Sequence, residues 1–294
     1  MAEQQSNEQT ARQRGVRGYG LGSVSTVLSV DQVAEEAAKI ATEAPSMERL
    51  RALANNDPFL TIEKLNAGYG KMHILHDFNL AVAAGQSLCL IGPNGAGKST
   101  ILHSVFGFTT IYNGTITSKG TDVTRLTSSQ KLKTGGIAYI LQDNSVFPDM
   151  TVEENLLMGG YLMDNRADAF ASTERVFEKY PRLKERAKQR AGVLSGGERR
   201  LLEISRALVM NPDVLLVDEP SIGLEPKFID QVFEILDGLQ HEDGKTILMV
   251  EQNAKKGLEF ADLGYVLVSG QLAMAGPGDE LLGDPEVGRL FLGG

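Results

Sequence analysis

The most informative segment of the 294-residue sequence is Gly92-Pro93-Asn94-Gly95-Ala96-Gly97-Lys98-Ser99. An apolar run, Ser87 to Ile91, precedes it, and a helical pattern begins at Thr100. Glycines let the backbone curl so that successive N–H groups point inward, and the start of the next helix adds a partial positive charge. A strand, a glycine-rich turn and a helix in this order predict a loop that holds an anion.

The segment has the residue pattern of a P-loop, so its side chains can be assigned separate tasks. Lys98 can reach the β- and γ-phosphates of a nucleotide, and the Ser99 hydroxyl can ligate Mg²⁺. Backbone N–H groups would hold the remaining phosphate oxygens. We therefore predict that ATP is bound by Gly92, Pro93, Asn94, Gly95, Ala96, Gly97, Lys98, Ser99 and Thr100.

Two carboxylates follow another apolar run, Val214 to Val217, at Asp218 and Glu219. Ligands of open parallel sheets bind beyond the carboxyl ends of the strands, so this pair should face the same crevice as the P-loop. Asp218 is suited to hold Mg²⁺, and Glu219 to orient or deprotonate an attacking water. The alternative, a solvated strand end, is less compatible with a P-loop in the same chain.

From Phe59 onward, short β-branched runs alternate with longer helical patterns, which is typical of an α/β fold with a largely parallel sheet. A more charged helical stretch, about 150–195, opens with the capping-box spacing of Thr151 and Glu154 and is interpreted as a helical insertion. The predicted strands are Phe59–Leu65, Ser87–Ile91, Val214–Asp218 and Thr246–Val250.

Residues 1–57 differ from the rest and are predicted to form an N-terminal extension, partly disordered, with a helix over 31–54. Two interpretations fit the weak apolar stripe from Val33 to Ala44: a helix that packs on a partner, or a loosely docked or disordered extension. Residues 58–294 would form the catalytic domain.

Composition limits the function. The net charge of −9 and pI near 5.1 argue against a protein that grips nucleic acid. The single cysteine, Cys89, lies in an apolar run, so we expect a buried thiol in a reducing compartment and not a catalytic one. No stretch approaches the ~18 apolar residues that span a bilayer, which predicts a cytoplasmic chain.

A further motif is Leu194-Ser195-Gly196-Gly197-Glu198, followed by a helix that carries Leu201, Ile204 and Leu208 on one face. Ser195 and Glu198 have capping-box spacing, and the glycines leave N–H groups open at the helix start. The motif resembles the signature of ATP-binding cassette (ABC) proteins, with Glu198 where glutamine is commoner. In this family the signature closes over the ATP of a second cassette.

The resemblance extends from Phe59 to the C-terminus and implies further roles. Tyr69 matches the residue that stacks on adenine. Gln142 matches the glutamine that touches Mg²⁺ and the attacking water, while its loop contacts membrane subunits. Gln252 stands where most relatives carry a γ-phosphate-sensing histidine; it can donate a hydrogen bond but cannot carry charge. The loop 221–226 matches the one that communicates between cassettes.

These matches imply a P-loop (RecA-like) core with a helical subdomain and a small antiparallel β subdomain. The catalytic residues would be Glu219, Gln252 and Gln142. The Mg²⁺ ligands would be Ser99, Gln142 and Asp218.

Three short segments, 150–156, 251–253 and 264–267, resemble the ATPase subunits of importers for branched-chain amino acids and related amides such as urea. The implied partners are a second cassette, identical or homologous, membrane permease subunits and, indirectly, a periplasmic or extracellular solute-binding protein. The chain would lie at the inner face of the cell membrane. Two alternatives are a soluble ATP-dependent switch acting on ribosomes or DNA, and a regulatory cassette paired with a more active ATPase.

Overall fold

A six-stranded sheet forms the centre of the computed structural model, which describes residues 44–142 and 145–291. Its strand order is β10-β9-β3-β8-β7-β6, and only the pairing of β9 with the edge strand β10 is antiparallel. All residues of β3, β7 and β8 are buried, which explains why their sequences are continuous apolar runs. The strands are β3 (Ser87–Ile91), β6 (Ile137–Ile140), β7 (Val214–Asp218), β8 (Thr246–Val250), β9 (Leu263–Val268) and β10 (Gln271–Pro277).

A second sheet is fully antiparallel, with the order β2-β1-β4-β5. Its buried side chains, such as Leu60 and Leu80, join Leu88 and Leu90 of β3 in one core. The predicted strand Phe59–Leu65 is present as part of β1, which is longer than predicted. The strands are β1 (Pro58–Tyr69), β2 (Met72–Ala83), β4 (Thr110–Ser118) and β5 (Thr121–Asp122).

Helices cover both faces of the central sheet. This is required because successive side chains of β3 point to opposite faces and all of them are apolar or buried. Leu88 and Leu90 pack toward α2 and the antiparallel sheet, whereas Cys89 and Ile91 pack toward α8 and α9. Cys89 is fully buried, and burial raises the pKa of its thiol. The helices are α1 (Met47–Leu53), α2 (Lys98–Phe106), α3 (Ser128–Lys133), α4 (Val152–Gly159), α5 (Arg166–Lys179), α6 (Pro181–Glu185), α7 (Gly196–Leu208), α8 (Pro226–His241), α9 (Ala254–Phe260), α10 (Gly278–Gly283) and α11 (Pro285–Phe291).

A separate apolar core joins α4, α5 and α6 to α7, through side chains such as Val152, Phe177 and Leu202. Thr151 caps α4, and the backbone N–H of Glu154 donates a 3.1 Å hydrogen bond to its hydroxyl while the Glu154 carboxylate accepts in return. Helices α4, α5 and α6 lie in the segment that the sequence assigns to a helical insertion, and α7 begins directly after it. The division of the chain into domains at 57/58 and 150–195 stays a prediction.

Of the expected helix over 31–54, the described part of the chain begins at residue 44 and contains α1. Residues 44–46 are not helical, because Ser46 has extended backbone angles and caps α1 through a 3.3 Å hydrogen bond from the N–H of Arg49. A continuous helix through Pro45 is therefore wrong; residues 31–43 lie outside the described part. Between 44 and 291, leaving aside 143–144, no helix is long and apolar enough to cross a membrane.

Candidate functional site

The loop 92–97 leaves the carboxyl end of β3 and leads directly into α2. Three of its glycines have positive φ angles, 147° at Gly92, 81° at Gly95 and 100° at Gly97. A Cβ on Gly92 would lie 2.3 Å from the carbonyl oxygen of Leu267 on β9, so only glycine fits there. Gly97 caps α2 without a side-chain hydrogen bond, which leaves the first N–H groups of the helix open to a ligand.

Lys98, the first residue of α2, folds back over this loop. Its Nζ donates hydrogen bonds to the carbonyl oxygens of Gly92, at 2.8 Å, and Pro93, at 3.1 Å. Burial lowers the pKa of the Lys98 ammonium, while the carboxylates of Glu219 and Asp218 oppose that change. The ammonium is therefore a largely desolvated cation hydrogen-bonded to two neutral carbonyl groups, which an incoming phosphate could replace.

Asp218 is the last residue of β7, and its carboxylate accepts hydrogen bonds from two hydroxyl groups. Ser99 Oγ donates to Asp218 Oδ1 at 3.1 Å, and the Tyr139 hydroxyl donates to Oδ2 at 2.8 Å. Burial, followed by the charge of Asp218, raises the pKa of Tyr139, so this phenol stays a proton donor. The Ser99 hydroxyl and the Asp218 carboxylate thus lie side by side at the P-loop.

Glu219 lies one residue beyond the strand in a left-handed conformation, with φ of 42°. This backbone conformation is energetically costly for a residue with a side chain. The Glu219 N–H donates a 2.8 Å hydrogen bond to the carbonyl oxygen of Val250 on β8, which holds the backbone in place. Gln142 Nε2 donates to Glu219 Oε2 at 2.7 Å. The structure therefore brings together two of the three predicted catalytic residues, Glu219 and Gln142.

Gln252 lies just after β8 and is exposed. The preceding carboxylate, Glu251, is only 2% exposed and accepts hydrogen bonds from Ser221 Oγ, at 2.8 Å, and from the N–H of Asn253, at 3.0 Å. The loop that carries Gln252 is thereby tied to the loop after the carboxylate pair.

Tyr69 ends β1 and is 42% exposed. Its hydroxyl hydrogen-bonds to Nδ1 of His103 on α2, and the two rings are nearly perpendicular, with centroids 6.1 Å apart. The predicted adenine-stacking residue is thus connected to the helix that begins at the P-loop.

The signature motif occupies the start of α7. Ser195 accepts a 3.3 Å hydrogen bond from the N–H of Glu198, and its own N–H donates to the Glu198 carboxylate at 3.0 Å. Ser195 and Gly196 are exposed, whereas Leu194 is buried. A Cβ on Gly197 would lie 2.4 Å from Phe228 of α8. Across residues 44–142 and 145–291, no hydrogen bond or ion pair joins this motif to the P-loop of the same chain.

The donor set is compatible with Mg²⁺ next to a phosphate group. No cluster of three histidine, cysteine or carboxylate residues that could hold a metal occurs within the described ranges. Mg²⁺ commonly takes one or two protein oxygens and completes its shell with phosphate and water. Ser99 and Asp218 offer such a partial set.

The comparison with known proteins agrees with these motifs. Residues 75–222 match the family model described as ABC transporter. The chain is 44% identical to the high-affinity branched-chain amino acid transport ATP-binding protein BraG of Pseudomonas aeruginosa, over 80% of this chain and 100% of that one. It is 40% identical to a probable branched-chain amino acid transport ATP-binding protein, LivF, of Archaeoglobus fulgidus, over 78% and 97% of the two chains.

The chain belongs to the ABC transporter family. The fold agrees: a crystal structure of the ADP conformation of an ABC transporter's ATP-binding cassette superposes with a TM-score of 0.70 at 28% identity, covering 81% of this chain and 99% of that one. The predictions of an ABC ATPase, an α/β core and an antiparallel β sheet are confirmed.

Sequence reasoning missed several residues that shape this ABC site. Tyr139 and His103 were not singled out, although they hold Asp218 and Tyr69. A tyrosine within the apolar strand β6 (Ile137–Ile140) could have been a signal, since a partly buried phenol needs a hydrogen-bond partner. Arg200 and Glu203 on α7 form a buried ion pair, with 2.8 Å between Nη1 and Oε2, that no local pattern indicated.

Proposed function

We propose that this ABC subunit hydrolyses ATP with Mg²⁺ as one of two paired cassettes and so drives an importer of branched-chain amino acids or related small polar solutes. The observation that carries the proposal is the 44% identity to BraG along that protein's whole length. The identity of 40% to LivF points to the same class of cargo.

The triphosphate would be held by the loop 92–97, the first N–H groups of α2 and the ammonium of Lys98. The adenine would stack on Tyr69, whose ring is exposed. Ser99, Asp218 and Gln142 would hold Mg²⁺, which neutralises negative charge on the phosphates during transfer. When the nucleotide and Mg²⁺ bind, the hydrogen bond from Ser99 to Asp218 would break, and so would the hydrogen bonds from Lys98 to the loop carbonyls.

Hydrolysis would depend on Glu219 as the base or orienting group for water. Its hydrogen bond from Gln142 and its strained backbone hold the carboxylate in one position. Gln252, exposed at the end of β8, would donate an amide hydrogen bond to the γ-phosphate.

The second cassette would complete the site through its signature motif. Ser195 and Gly196 are exposed and lie at a helix N-terminus, where open N–H groups and the helix dipole favour an anion. Because no hydrogen bond or ion pair of the described residues joins this motif to the P-loop of its own chain, we assign the motif to the ATP of the partner cassette.

A groove beside the Gln142 loop would receive the membrane subunits. This cavity of about 370 Å³ lies between β6, α4 and α7, and its lining includes Tyr139, Met158, Tyr161 and Arg206. Tyr161 is 78% exposed and Met158 is 40% exposed, so the rim presents apolar surface to a partner. Binding there would place the chain at the cytoplasmic face of the membrane.

The proposal is tested by purifying the tagged chain from its native host and identifying what accompanies it. We expect permease subunits and, after reconstitution in liposomes, ATP-dependent uptake of labelled leucine. Recovery with ribosomes or nucleic acid would favour the soluble switch instead. The regulatory alternative would be favoured if the isolated chain hydrolysed almost no ATP and if adding a different cassette restored hydrolysis.

A further inference from the structure

A cavity of about 330 Å³ lies between α5, the end of α7 and the turn before β8. It borders residues that precede β7 and β8, whereas the P-loop and Glu219 lie at the opposite, carboxyl ends of the parallel strands. The volume is within the usual range for small-molecule sites, which starts at about 300 Å³. The cavity is therefore separate from the nucleotide site.

Positive charge dominates its polar wall. Lys179 is ion-paired with Asp243, so these two charges offset each other. Arg175 Nη2 donates to Ser172 Oγ at 2.6 Å, and Lys245 Nζ donates to Asn211 Oδ1 at 2.8 Å. Both of these partners are neutral, and within the part of the chain that the structure describes neither Arg175 nor Lys245 forms an ion pair.

The Tyr180 hydroxyl supplies a third donor. Tyr180 lines the cavity, and its hydroxyl is buried and has no hydrogen-bond partner among residues 44–142 and 145–291. Burial, with the charges of Asp243 and Glu242, raises the pKa of Tyr180, so the phenol keeps its proton. A buried donor without an acceptor is costly, and a ligand oxygen would remove that cost.

The opposite wall is aliphatic. Val176 is 6% exposed and Val209 is 1% exposed, and Leu208 completes this wall. Val176 and Val209 are already packed in the apolar core around α7, and Leu208 is half-buried, so the apolar surface left on this wall is small. A ligand with an aliphatic end would cover this surface and displace water from it, whereas a fully polar anion such as phosphate would not.

We propose that this cavity binds a small aliphatic carboxylate. Its oxygens would accept hydrogen bonds from Arg175, Lys245 and the Tyr180 hydroxyl, and its aliphatic chain would pack on Val176, Leu208 and Val209. Such a ligand would connect α5 to the turn before β8.

Calorimetric titration of the full chain with 4-methylpentanoate tests the proposal. We expect saturable binding, and binding at least about tenfold weaker for the neutral 4-methylpentanamide, because charge-assisted hydrogen bonds are the stronger ones. Arg175→Gln and Lys245→Gln should each weaken carboxylate binding about tenfold or more. Lys255→Gln, at an exposed lysine of α9, is the matched control and should leave it unchanged.

Tyr180→Phe removes only the hydroxyl and should weaken binding several-fold while thermal unfolding shows a folded chain. The proposal is overturned if the carboxylate does not bind, if the amide or inorganic phosphate binds as tightly, or if the three cavity variants bind like the Lys255 control. Since no step of the test involves ATP, its result is independent of the proposed transport function.

Discussion

The Arg200 guanidinium of α7 donates a 2.7 Å hydrogen bond to the carbonyl oxygen of Leu141, the residue before Gln142. The same guanidinium is ion-paired with Glu203, whose carboxylate accepts a hydrogen bond from the N–H of Ser145. The helix that begins with the signature motif is thereby attached to both ends of the Gln142 loop.

Replacing Arg200 by methionine should destabilise the chain strongly. The side chains of Arg200 and Glu203 are only 4% and 5% exposed, so the change leaves a buried carboxylate without its partner. We expect the free energy of unfolding to fall by about 3–5 kcal/mol in urea titrations.

The double variant Arg200→Met/Glu203→Leu is the control, because it removes both charges and keeps apolar volume. It should be less destabilised than the single variant. A double variant as unstable as the single one would show that the ion pair is not the cause.

Glu219→Gln should abolish most ATP turnover and retain ATP binding. The amide keeps the size of the side chain and a hydrogen-bonding oxygen near Gln142, but it cannot take a proton from water. We expect the hydrolysis rate to fall by more than about 100-fold, measured by phosphate release, with nucleotide affinity nearly unchanged. Glu280→Gln, at an exposed position on α10, should keep the full rate; an unchanged rate for Glu219→Gln would exclude that carboxylate as the base.

The bounds of β3, β7 and β8 were predictable because each strand is buried on both faces and therefore reads as an unbroken apolar run. The full length of β1 was not predictable from the sequence. Its predicted end, Leu65, follows Lys64, whose φ of 48° accompanies a shift in the pairing of β1 with β2. Such a bulge interrupts the alternation that predicts strands, so the residues up to Tyr69 were left out.

The motif residues of the site could be predicted because each motif has its own local spacing. The contacts between motifs could not, since they join residues far apart in the chain. Tyr139 and Asp218, for example, meet because β6 and β7 are neighbours in the sheet. The same limit applies to the cavity between α5 and the turn before β8, where no short segment carries the pattern.

Glu198→Gln should reduce stability at neutral pH, and this difference should vanish in acid. Burial alone would raise the pKa of Glu198, but hydrogen bonds from Ser195 and Arg182 and the charge of Arg186 bring it from the ordinary 4.5 to about 2. A pKa lowered by folding adds stability above pH 4.5, and that stability is lost as the pH falls toward 2.

Because the two arginine side chains are 63% and 38% exposed, solvent screens part of this effect, and we expect about 1–3 kcal/mol at pH 7. Unfolding free energies of both proteins from pH 7 down to about pH 2 would measure it. Glu154→Gln, in the equivalent capping box of α4, is the control and should show a weaker pH dependence, since Glu154 is exposed. A constant difference between the chain and Glu198→Gln at all pH values would contradict this account.

Gly92→Ala should damage both stability and nucleotide binding. The added Cβ would lie 2.3 Å from the carbonyl oxygen of Leu267 on β9, and the φ of 147° is unfavourable for alanine. Either the loop or β9 must move, at a cost of about 1–3 kcal/mol, and a moved loop no longer directs its N–H groups at one phosphate. Urea unfolding and titration with a fluorescent ATP analogue would measure the two effects.

Gly283→Ala is the control for this prediction. Its new Cβ would meet no atom within 4 Å in the described part of the chain, so stability and nucleotide affinity should stay close to those of the unchanged protein. Equal behaviour of the two variants would show that the close approach of Gly92 to β9 does not shape the P-loop.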